Sequence, residues 1–285
     1  MKLLAISDLH LDNKKNLLAL QELQSQGDSW LILAGDICTR ADILAESLMV
    51  LKSRFSEIIW VPGNHELWLD QPDIYTSSVE KYFALVEICR ELGVHTPEDE
   101  YPVFPGHSPF RVAPLCLLYD YSFRPAHVQH EHAVAWAVES GVLCRDESMI
   151  ATEPFSSIVE WCQARVDYTR SRLERLEDDV PLILVNHFPL RYDLSRTMRI
   201  PRFSIWCGTR YTEDWHKRYN VHAVVSGHLH MRSTDYRDGV RYEEVSLGYP
   251  RDWRAEKGIG HYLREILPGP SLHYHHAGPF WKMRL

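Results

Sequence analysis

Short apolar runs recur along the chain, and between them lie segments in which apolar residues return every three to four positions. Apolar runs rich in β-branched residues are typical of buried strands, whereas the longer periodicity indicates amphipathic helices. The runs predict strands over 1–7, 30–34, 58–61, 182–185, 223–225, 241–247 and 261–267. The periodic segments predict helices over 16–23, 43–51 and 79–92. This alternation predicts an α/β fold in which helices cover the faces of a sheet.

The stretch from about 93 to 180 departs from this alternation. It begins with five prolines, as a loop does, although 110–113 and 115–118 are apolar enough to form strands. Residues 126–149 and 155–177 then have the periodicity of two helices. We interpret about 119–180 as a helical insertion within a single domain that spans 1–285. It serves either as a cap over a functional site or as a packing elaboration or dimer surface.

Polar clusters follow five of the predicted strands in a fixed order. They read Asp-Leu-His, Gly-Asp, Gly-Asn-His-Glu, Asn-His and Gly-His-Leu-His. Carboxylates, imidazoles and an amide are ligands for divalent metal ions, and the absence of cysteine from these clusters argues against a structural zinc site. The candidate metal ligands are Asp8, His10, Asp36, Asn64, His187, His228 and His230.

The spacing of these ligands predicts two ions. Asp8 and His10 lie two residues apart, so on an extended segment their side chains share a face and reach the same ion. His228 and His230 repeat that spacing. Asp36 has two carboxylate oxygens and follows a glycine that lets the chain turn tightly, which makes it the predicted bridge between the ions.

The remaining ligands complete the two shells. Asn64 offers a neutral carbonyl oxygen. His187 and His228 complete the ligand shell of the second ion, and His230 completes that of the first. Mixed nitrogen and oxygen ligation suits manganese, iron or zinc better than magnesium alone. Because two such ions clamp a phosphate and generate a hydroxide nucleophile near neutral pH, these ligands predict an enzyme that hydrolyses phosphoesters.

In their order and content, the five clusters resemble the calcineurin-like metallophosphoesterase superfamily, and the resemblance runs from residue 2 to about 250. It implies a four-layer α/β/β/α sandwich and hydrolysis by a metal-bridging hydroxide. It also implies a role for His65 as a non-ligand histidine that contacts the phosphate or protonates the leaving oxygen. The alternative for His65 is that it only orients a ligand or a carbonyl group. The implied first ion is held by Asp8, His10, Asp36 and His230, and the second by Asp36, Asn64, His187 and His228.

The loop between the last two histidine clusters is rich in arginine and aromatic residues. It leaves one ligand-bearing strand and returns to the next, so we expect it to overhang the metals. Arg202, Trp206 and Arg210 in this loop, and Arg251 beyond the strand predicted over 241–247, are candidate substrate contacts. Guanidinium groups bind phosphate in a bidentate manner, and aromatic rings stack on bases or line apolar slots. The alternative is that these side chains pack the loop against the core.

Three segments of the last third resemble actinobacterial phosphopantetheinyl hydrolases. They are Ile-Pro-x-Phe-x-x-Trp-Cys-Gly-Thr, Asp-Trp-His and Ser-Leu-Gly-Tyr-Pro-Arg-x-Trp. The resemblance implies removal of phosphopantetheine from a holo acyl or peptidyl carrier protein, which would then be a partner. One alternative is a nucleotide or cyclic-nucleotide phosphodiesterase, or a phosphomonoesterase. Another is a non-catalytic metal-binding interaction scaffold, since a fold alone does not fix function.

Composition excludes several other classes of protein. The 285 residues are 45% hydrophobic and 25% charged, as in ordinary globular proteins. A formal net charge of −8 gives no electrostatic footprint for broad nucleic-acid binding. No apolar run is long enough to span a membrane. Six scattered cysteines do not suggest a disulfide framework, and the first predicted strand leaves no room for a signal peptide, so we expect a cytoplasmic protein.

Overall fold

The computed structural model describes residues 1–70, 74–106, 108–195 and 200–269, together with the backbone of 282–284. Its strands are β1 (Leu3–Ile6), β2 (Trp30–Leu33), β3 (Glu57–Trp60), β4 (Val103–Phe104), β5 (Phe110–Pro114), β6 (Leu182–Val185), β7 (Val221–Ser226), β8 (Ser233–Arg237), β9 (Val240–Glu244), β10 (Arg264–Leu267) and β11 (Lys282–Arg284). Its α-helices are α1 (Lys14–Gln21), α2 (Ala41–Lys52), α3 (Asn64–Leu67), α4 (Ser78–Glu91), α5 (Ala133–Val138), α6 (Asp146–Met149), α7 (Ile158–Glu174) and α8 (Trp215–Arg218).

The strands form two sheets. One has the order β10-β1-β2-β3, and the other has the order β11-β8-β9-β7-β6-β5-β4. Strands β1, β2 and β3 are parallel, as are β5, β6, β7 and β9. The sheets meet where β1 and β9 end, because Ser7 pairs with Ser246. This contact brings the carboxyl ends of parallel strands from both sheets to one edge of the molecule.

Successive residues of the apolar strands belong alternately to two apolar clusters. Ala5, Ile32 and Ile59 of the first sheet pack in one cluster with Ile183 and Val225 of the second, so this cluster fills the space between the sheets. The intervening positions belong to a second cluster that also contains side chains of α2, α4 and α7. Because successive side chains of a strand point to opposite faces, each sheet packs one face on the other sheet and the opposite face on helices. The predicted four-layer α/β/β/α sandwich is confirmed.

All seven predicted strands are present. Of the two further segments that are apolar enough to form strands, 110–113 lies in β5, whereas 115–118 forms no strand. The backbone N–H of Leu117 donates to Oδ1 of Asn186 at 2.9 Å, and Asn186 Nδ2 donates back to the Leu117 carbonyl at 3.3 Å. A side-chain amide therefore takes the place of a strand partner, and the segment forms no strand. In contrast, β8 is absent from the apolar pattern because its sequence, STDYR, is polar.

The single helix predicted over 126–149 is also wrong. The structure has two short helices there, α5 and α6, separated by a turn in which Gly141 has a φ of 74°. A positive φ is compatible with glycine and ends the right-handed helix. The helix predicted over 155–177 is present as α7, which begins after the capping residue Ser157. No α-helix within the described ranges is long and apolar enough to cross a membrane.

Candidate metal centre

The seven predicted metal ligands lie together at the edge where the two sheets meet. Asp8 follows β1, Asp36 follows β2 and Asn64 begins α3 directly after β3. The histidines come from the second sheet, where His187 follows β6 and His228 follows β7. His230 lies two residues further along the same loop. Parallel strands therefore deliver every candidate ligand from their carboxyl ends.

Asp8, His10 and His230 form the first half of this centre. Nε2 of His230 lies 3.1 Å from Oδ1 of Asp8 and 3.1 Å from Nε2 of His10. The ligand atoms of all three residues lie within 4.8 Å of one another. Two imidazole nitrogens and a carboxylate oxygen that converge in this way share more lone pairs than protons, which fits a bound cation.

Asn64, His187 and His228 form the second half. Oδ1 of Asn64 lies 3.2 Å from Nε2 of His187 and 3.2 Å from Nδ1 of His228. Nε2 of His187 also lies 3.5 Å from Oδ1 of Asp36. Nδ1 of His187 lies 2.9 Å from the carbonyl of Ala34, so donation to that carbonyl leaves Nε2 free to face the other ligands.

Asp36 lies between the two halves. Its ligand atoms lie within 4.8 Å of those of His10 and His65 in one group and of those of Asp8 and His187 in another, so Asp36 is close to members of both halves. This position suits the bridging role that the sequence predicts for it. Gly35 makes the turn possible, because its φ is 86° and an added Cβ would lie 2.6 Å from Nδ1 of His187.

The backbone of the ligand loops differs from the extended segments that the spacing argument assumed. Asp8, His10, His228 and His230 have φ values of 54°, 44°, 72° and 51°, in the left-handed region. Each such non-glycine residue costs about 1–3 kcal/mol and is held by its surroundings. The loops after β1 and β2 provide this support, since the N–H groups of Asp8 and His10 donate to the carbonyls of Gly35 and Asp36.

Glu66 has a supporting role that sequence reasoning missed. Its buried carboxylate accepts hydrogen bonds from the backbone N–H groups of Asp36 at 2.9 Å, Ile37 at 2.6 Å and Gly63 at 2.7 Å. Burial raises the pKa of Glu66 to about 7, even though these donors favour the ionised form. The side chain therefore fastens the loop after β2 to the loop after β3.

Two further residues that the sequence did not assign support the first half. Oδ2 of Asp252 lies 3.2 Å from Nδ1 of His230 and accepts from the backbone N–H of Tyr249 at 3.0 Å. A carboxylate that pairs with the outer nitrogen of a ligating histidine fixes its tautomer and ring orientation. The ring of Tyr249 stacks on His10, with the centroids 4.3 Å apart and the planes at 11°. The segment 249–253 thus lies against the metal centre.

His65 lies at the exposed side of the ligands. Its Nε2 is 3.8 Å from Oδ2 of Asp36 and 3.5 Å from the hydroxyl of Tyr249. Its ring packs on Trp68, with the centroids 3.7 Å apart. The side chain keeps 13% of its surface exposed, so Nε2 is within reach of a substrate that enters the centre.

The four candidate substrate contacts lie in different surroundings. Trp206 is fully buried, and its indole N–H donates to Glu147 at 2.6 Å. Arg202 donates to the carbonyl of Trp136 and stacks on the Trp136 ring, and Arg210 donates to the carbonyl of Ser122 at 2.9 Å. These contacts agree with the alternative that the loop packs on the protein. In contrast, the side chain of Arg251 is 81% exposed, with its guanidinium 5.5 Å above Tyr249.

Each half contains one imidazole with a raised pKa and one with a lowered pKa. Burial lowers the pKa of His230 and of His187, but Asp8 and Asp36 respectively more than offset it, so each pKa rises to about 10. Burial dominates at the other two histidines and lowers the pKa of His10 to about 4 and of His228 to about 3. Before metal binds, each half therefore holds one charged and one neutral imidazole near neutral pH.

Known proteins resemble this chain in sequence and in fold. Residues 1–232 match the family of calcineurin-like phosphoesterases. Over 271 residues the chain is 46% identical to the acyl-carrier-protein phosphodiesterase PptH of Mycobacterium tuberculosis, and the match covers 94% of this chain and 83% of the relative. The crystal structure of phosphopantetheinyl hydrolase (PptH) from Mycobacterium tuberculosis has a TM-score of 0.88 and 45% identity, covering 94% of this chain and 96% of that chain.

Proposed function

The chain belongs to the calcineurin-like phosphoesterase family, and from this premise we propose that it removes phosphopantetheine from a holo carrier protein. It is a metal-dependent phosphoric ester hydrolase, as its family is. The proposal for the substrate rests on one observation, the 46% identity to an acyl-carrier-protein phosphodiesterase over 94% of the chain. Tyr249, one of the residues that carry the resemblance to phosphopantetheinyl hydrolases, stacks on the candidate ligand His10, so that segment lies beside the site.

The ligands are assigned to two ions as the sequence predicts. Asp36 would be shared by both ions, and the donor set of imidazoles, carboxylates and an amide oxygen fits manganese, iron or zinc. Such ions, when bound, supply Lewis acidity toward phosphate oxygens and lower the pKa of water. In this proposal the first ion is held by Asp8, His10, Asp36 and His230, and the second by Asp36, Asn64, His187 and His228.

His65 is the proposed catalytic residue. Its Nε2 faces Asp36 and the hydroxyl of Tyr249, so it lies beside the point where a phosphate would sit between the two halves. An imidazole there can donate a hydrogen bond to the phosphate or a proton to the leaving oxygen. Packing against Trp68 holds the ring in this orientation. Of the four candidate substrate contacts, we propose Arg251 as the one that binds the substrate, because it is exposed beside Tyr249.

We also propose a cytoplasmic location. All six cysteines are free, and five of them are buried. Burial raises the pKa of several of these thiols, including Cys116 to about 11, so they are poorly reactive and pack as small apolar residues. Free buried thiols are typical of proteins from reducing compartments.

The intact mass of a holo carrier protein tests the proposed function. Incubation with the manganese-loaded enzyme should convert the carrier to its apo mass. The variants Asp36→Asn and His187→Ala should react about a thousandfold more slowly, because the first removes the negative charge shared by both ions and the second removes a ligand of an ion that stabilises transition-state charge. Circular dichroism of both variants should show that the fold is kept. Wild-type rates in both variants would contradict the metal centre.

Small test substrates separate the chemistry from the choice of substrate. An aryl phosphodiester and an aryl phosphomonoester should be cleaved at different rates, with the diester preferred. Cleavage of the diester together with an unchanged carrier mass would retain the chemistry and reject the carrier protein as substrate. The assay would then turn to nucleotides and cyclic nucleotides.

A further inference from the structure

The region that the sequence assigned to an insertion places one carboxylate against the metal centre. Asp146, the first residue of α6, is 1% exposed, although Arg145 and Glu147 on either side of it are exposed. A buried carboxylate is costly unless hydrogen bonds compensate for the loss of water. The partners of Asp146 therefore indicate why it is buried.

The two side chains that donate to Oδ1 of Asp146 belong to the segment that follows β3. Its Oδ1 accepts hydrogen bonds from Nδ2 of Asn64 at 3.0 Å and from Nε1 of Trp68 at 2.6 Å. The side-chain amide of asparagine has a donor end and an acceptor end, and the carboxylate can receive only the donor end. Oδ1 of Asn64 is thereby turned toward His187 and His228, at 3.2 Å from a ring nitrogen of each.

We propose that Asp146 is a positioning residue that fixes the amide of Asn64 for the second metal ion. The inference rests on the proposed function, because it assumes that Asn64 is a ligand. The same carboxylate oxygen holds Trp68, on which His65 packs with ring centroids 3.7 Å apart. One side chain of α6 thus sets the orientation of a ligand and of the ring behind the proposed catalytic histidine. Region 119–180 accordingly completes the second half of the centre.

Glu147 provides a matched control on the same helix. Its Oε1 accepts from the hydroxyl of Tyr121 at 2.8 Å and from Nε1 of Trp206 at 2.6 Å. These contacts fasten α6 to neighbouring loops, and neither partner is one of the seven ligands. A loss that is specific to Asp146 would therefore separate positioning of Asn64 from general attachment of α6.

The test is a calorimetric titration of the metal-free protein with Mn²⁺. Two binding phases are expected in the wild type, and Asn64→Ala identifies the phase that belongs to the second ion. Asp146→Ala should weaken that phase by about 10–100-fold and leave the first unchanged, as loss of an outer-shell partner does. Asp146→Asn should restore most of the affinity, because its amide oxygen can still accept both hydrogen bonds. Glu147→Ala and Trp68→Phe should bind both ions normally.

The possible failures are distinguishable. Unchanged affinity for the second ion in Asp146→Ala would overturn the inference, and so would an equal loss in Glu147→Ala. A wild type that does not bind two ions would instead contradict the proposed function. If Asp146→Ala does not fold, Asp146→Leu replaces it, because leucine is similar in volume and accepts no hydrogen bond. Melting temperatures of the metal-free variants show whether any loss of affinity merely follows from unfolding.

Discussion

The two halves of the metal centre contain similar ligands, but different parts of the chain support them. In the first half, Asp252 pairs with His230 at 3.2 Å, and it belongs to the segment 249–253 near the end of the described chain. In the second half, Asp146 pairs with Asn64 at 3.0 Å, and it belongs to α6 in the middle of the chain. Each half therefore has one ligand whose orientation is fixed by a carboxylate from outside the strand-end clusters.

This difference shows that the positions of the candidate ligands and the orientation of their side chains depend on different parts of the chain. The strand ends place the candidate ligands, while two segments outside the strand ends, α6 and 249–253, orient one ligand each. The segment 249–253 also carries Arg251, the proposed substrate contact, beside Asp252. In our proposal this segment both contacts the substrate and orients His230. A substitution there that alters substrate binding would therefore also alter the binding of the first ion. In the same way, a substitution in α6 would alter the binding of the second ion.

The substitution of Asp252 is expected to have the largest effect among the tests of this comparison. Asp252→Ala leaves Nδ1 of His230 without its carboxylate, so affinity for the first ion should fall by about 10–100-fold. The second ion should bind normally, which is the opposite pattern to Asp146→Ala. Calorimetric titration with Mn²⁺ measures both phases.

A matched carboxylate outside the centre provides the control for that experiment. Asp238 lies between β8 and β9 and pairs with His216 at 2.8 Å and Lys217 at 2.9 Å. Asp238→Ala should leave both metal affinities unchanged. If Asp252→Ala weakened both ions equally, the two halves would not be separate units of support, and the comparison would be wrong.

The pH dependence of stability tests the electrostatic similarity of the halves. In the metal-free protein the pKa values of His187 and His230 are about 10, above the unfolded value of 6.5. The folded state binds more protons than the unfolded state between pH 6.5 and 10, so stability should fall as the pH rises through this window. The pKa values of His10 and His228 are about 4 and about 3, so stability should also fall as the pH drops from 6.5 toward 4.

Melting temperatures of the metal-free protein should therefore be highest near pH 6.5. Glu66, with a pKa of about 7, adds to the alkaline decline and opposes part of the acidic one, because its folded state also retains a proton above pH 4.5. Replacing His187 or His230 by alanine should flatten the alkaline side of the profile. A melting temperature that rises steadily from pH 6.5 to 9 would contradict the assigned pKa directions.

The fold could be predicted from the sequence where local pattern decides structure. The strands around the centre are short apolar runs, and their limits differ from the predicted ones by only a few residues. Prediction failed where a distant side chain or a single turn decides. Asn186 replaces a strand partner for Leu117, and the turn at Gly141 divides one predicted helix into two. The polar strand β8 has no apolar pattern at all, since pairing with β9 defines it.

Some features of the candidate site could likewise be predicted from the sequence, and others could not. The convergence of the candidate ligands could be predicted because each cluster is a few residues long and follows a strand. Their left-handed backbone could not be predicted, because it depends on hydrogen bonds between loops, such as that from Asp8 to Gly35. Asp146 carries no local signal either, since its partner Asn64 lies 82 residues away. Asp252 carries no signal of its own either, because it occupies the open position of the segment Ser-Leu-Gly-Tyr-Pro-Arg-x-Trp.

The smallest expected effect distinguishes Arg251 from Arg202 as substrate contacts. Arg251 is exposed beside Tyr249, whereas Arg202 is held by Trp136 and Glu139. Arg251→Ala should raise KM for the holo carrier by up to about fivefold with little change in kcat, because an exposed charged contact contributes about 0.2–1 kcal/mol. Arg202→Ala should leave KM unchanged and lower the melting temperature slightly.

Initial rates over a range of carrier concentrations, together with melting curves, measure both effects. The small aryl diester serves as the control, since neither substitution should change its KM if Arg251 contacts only the carrier or the phosphopantetheine arm. A higher KM in Arg202→Ala and an unchanged one in Arg251→Ala would assign substrate binding to the loop between His187 and His228. In that case the segment 249–253 would support the first ion without contacting the substrate, and the coupling between binding and metal orientation would be confined to the second half.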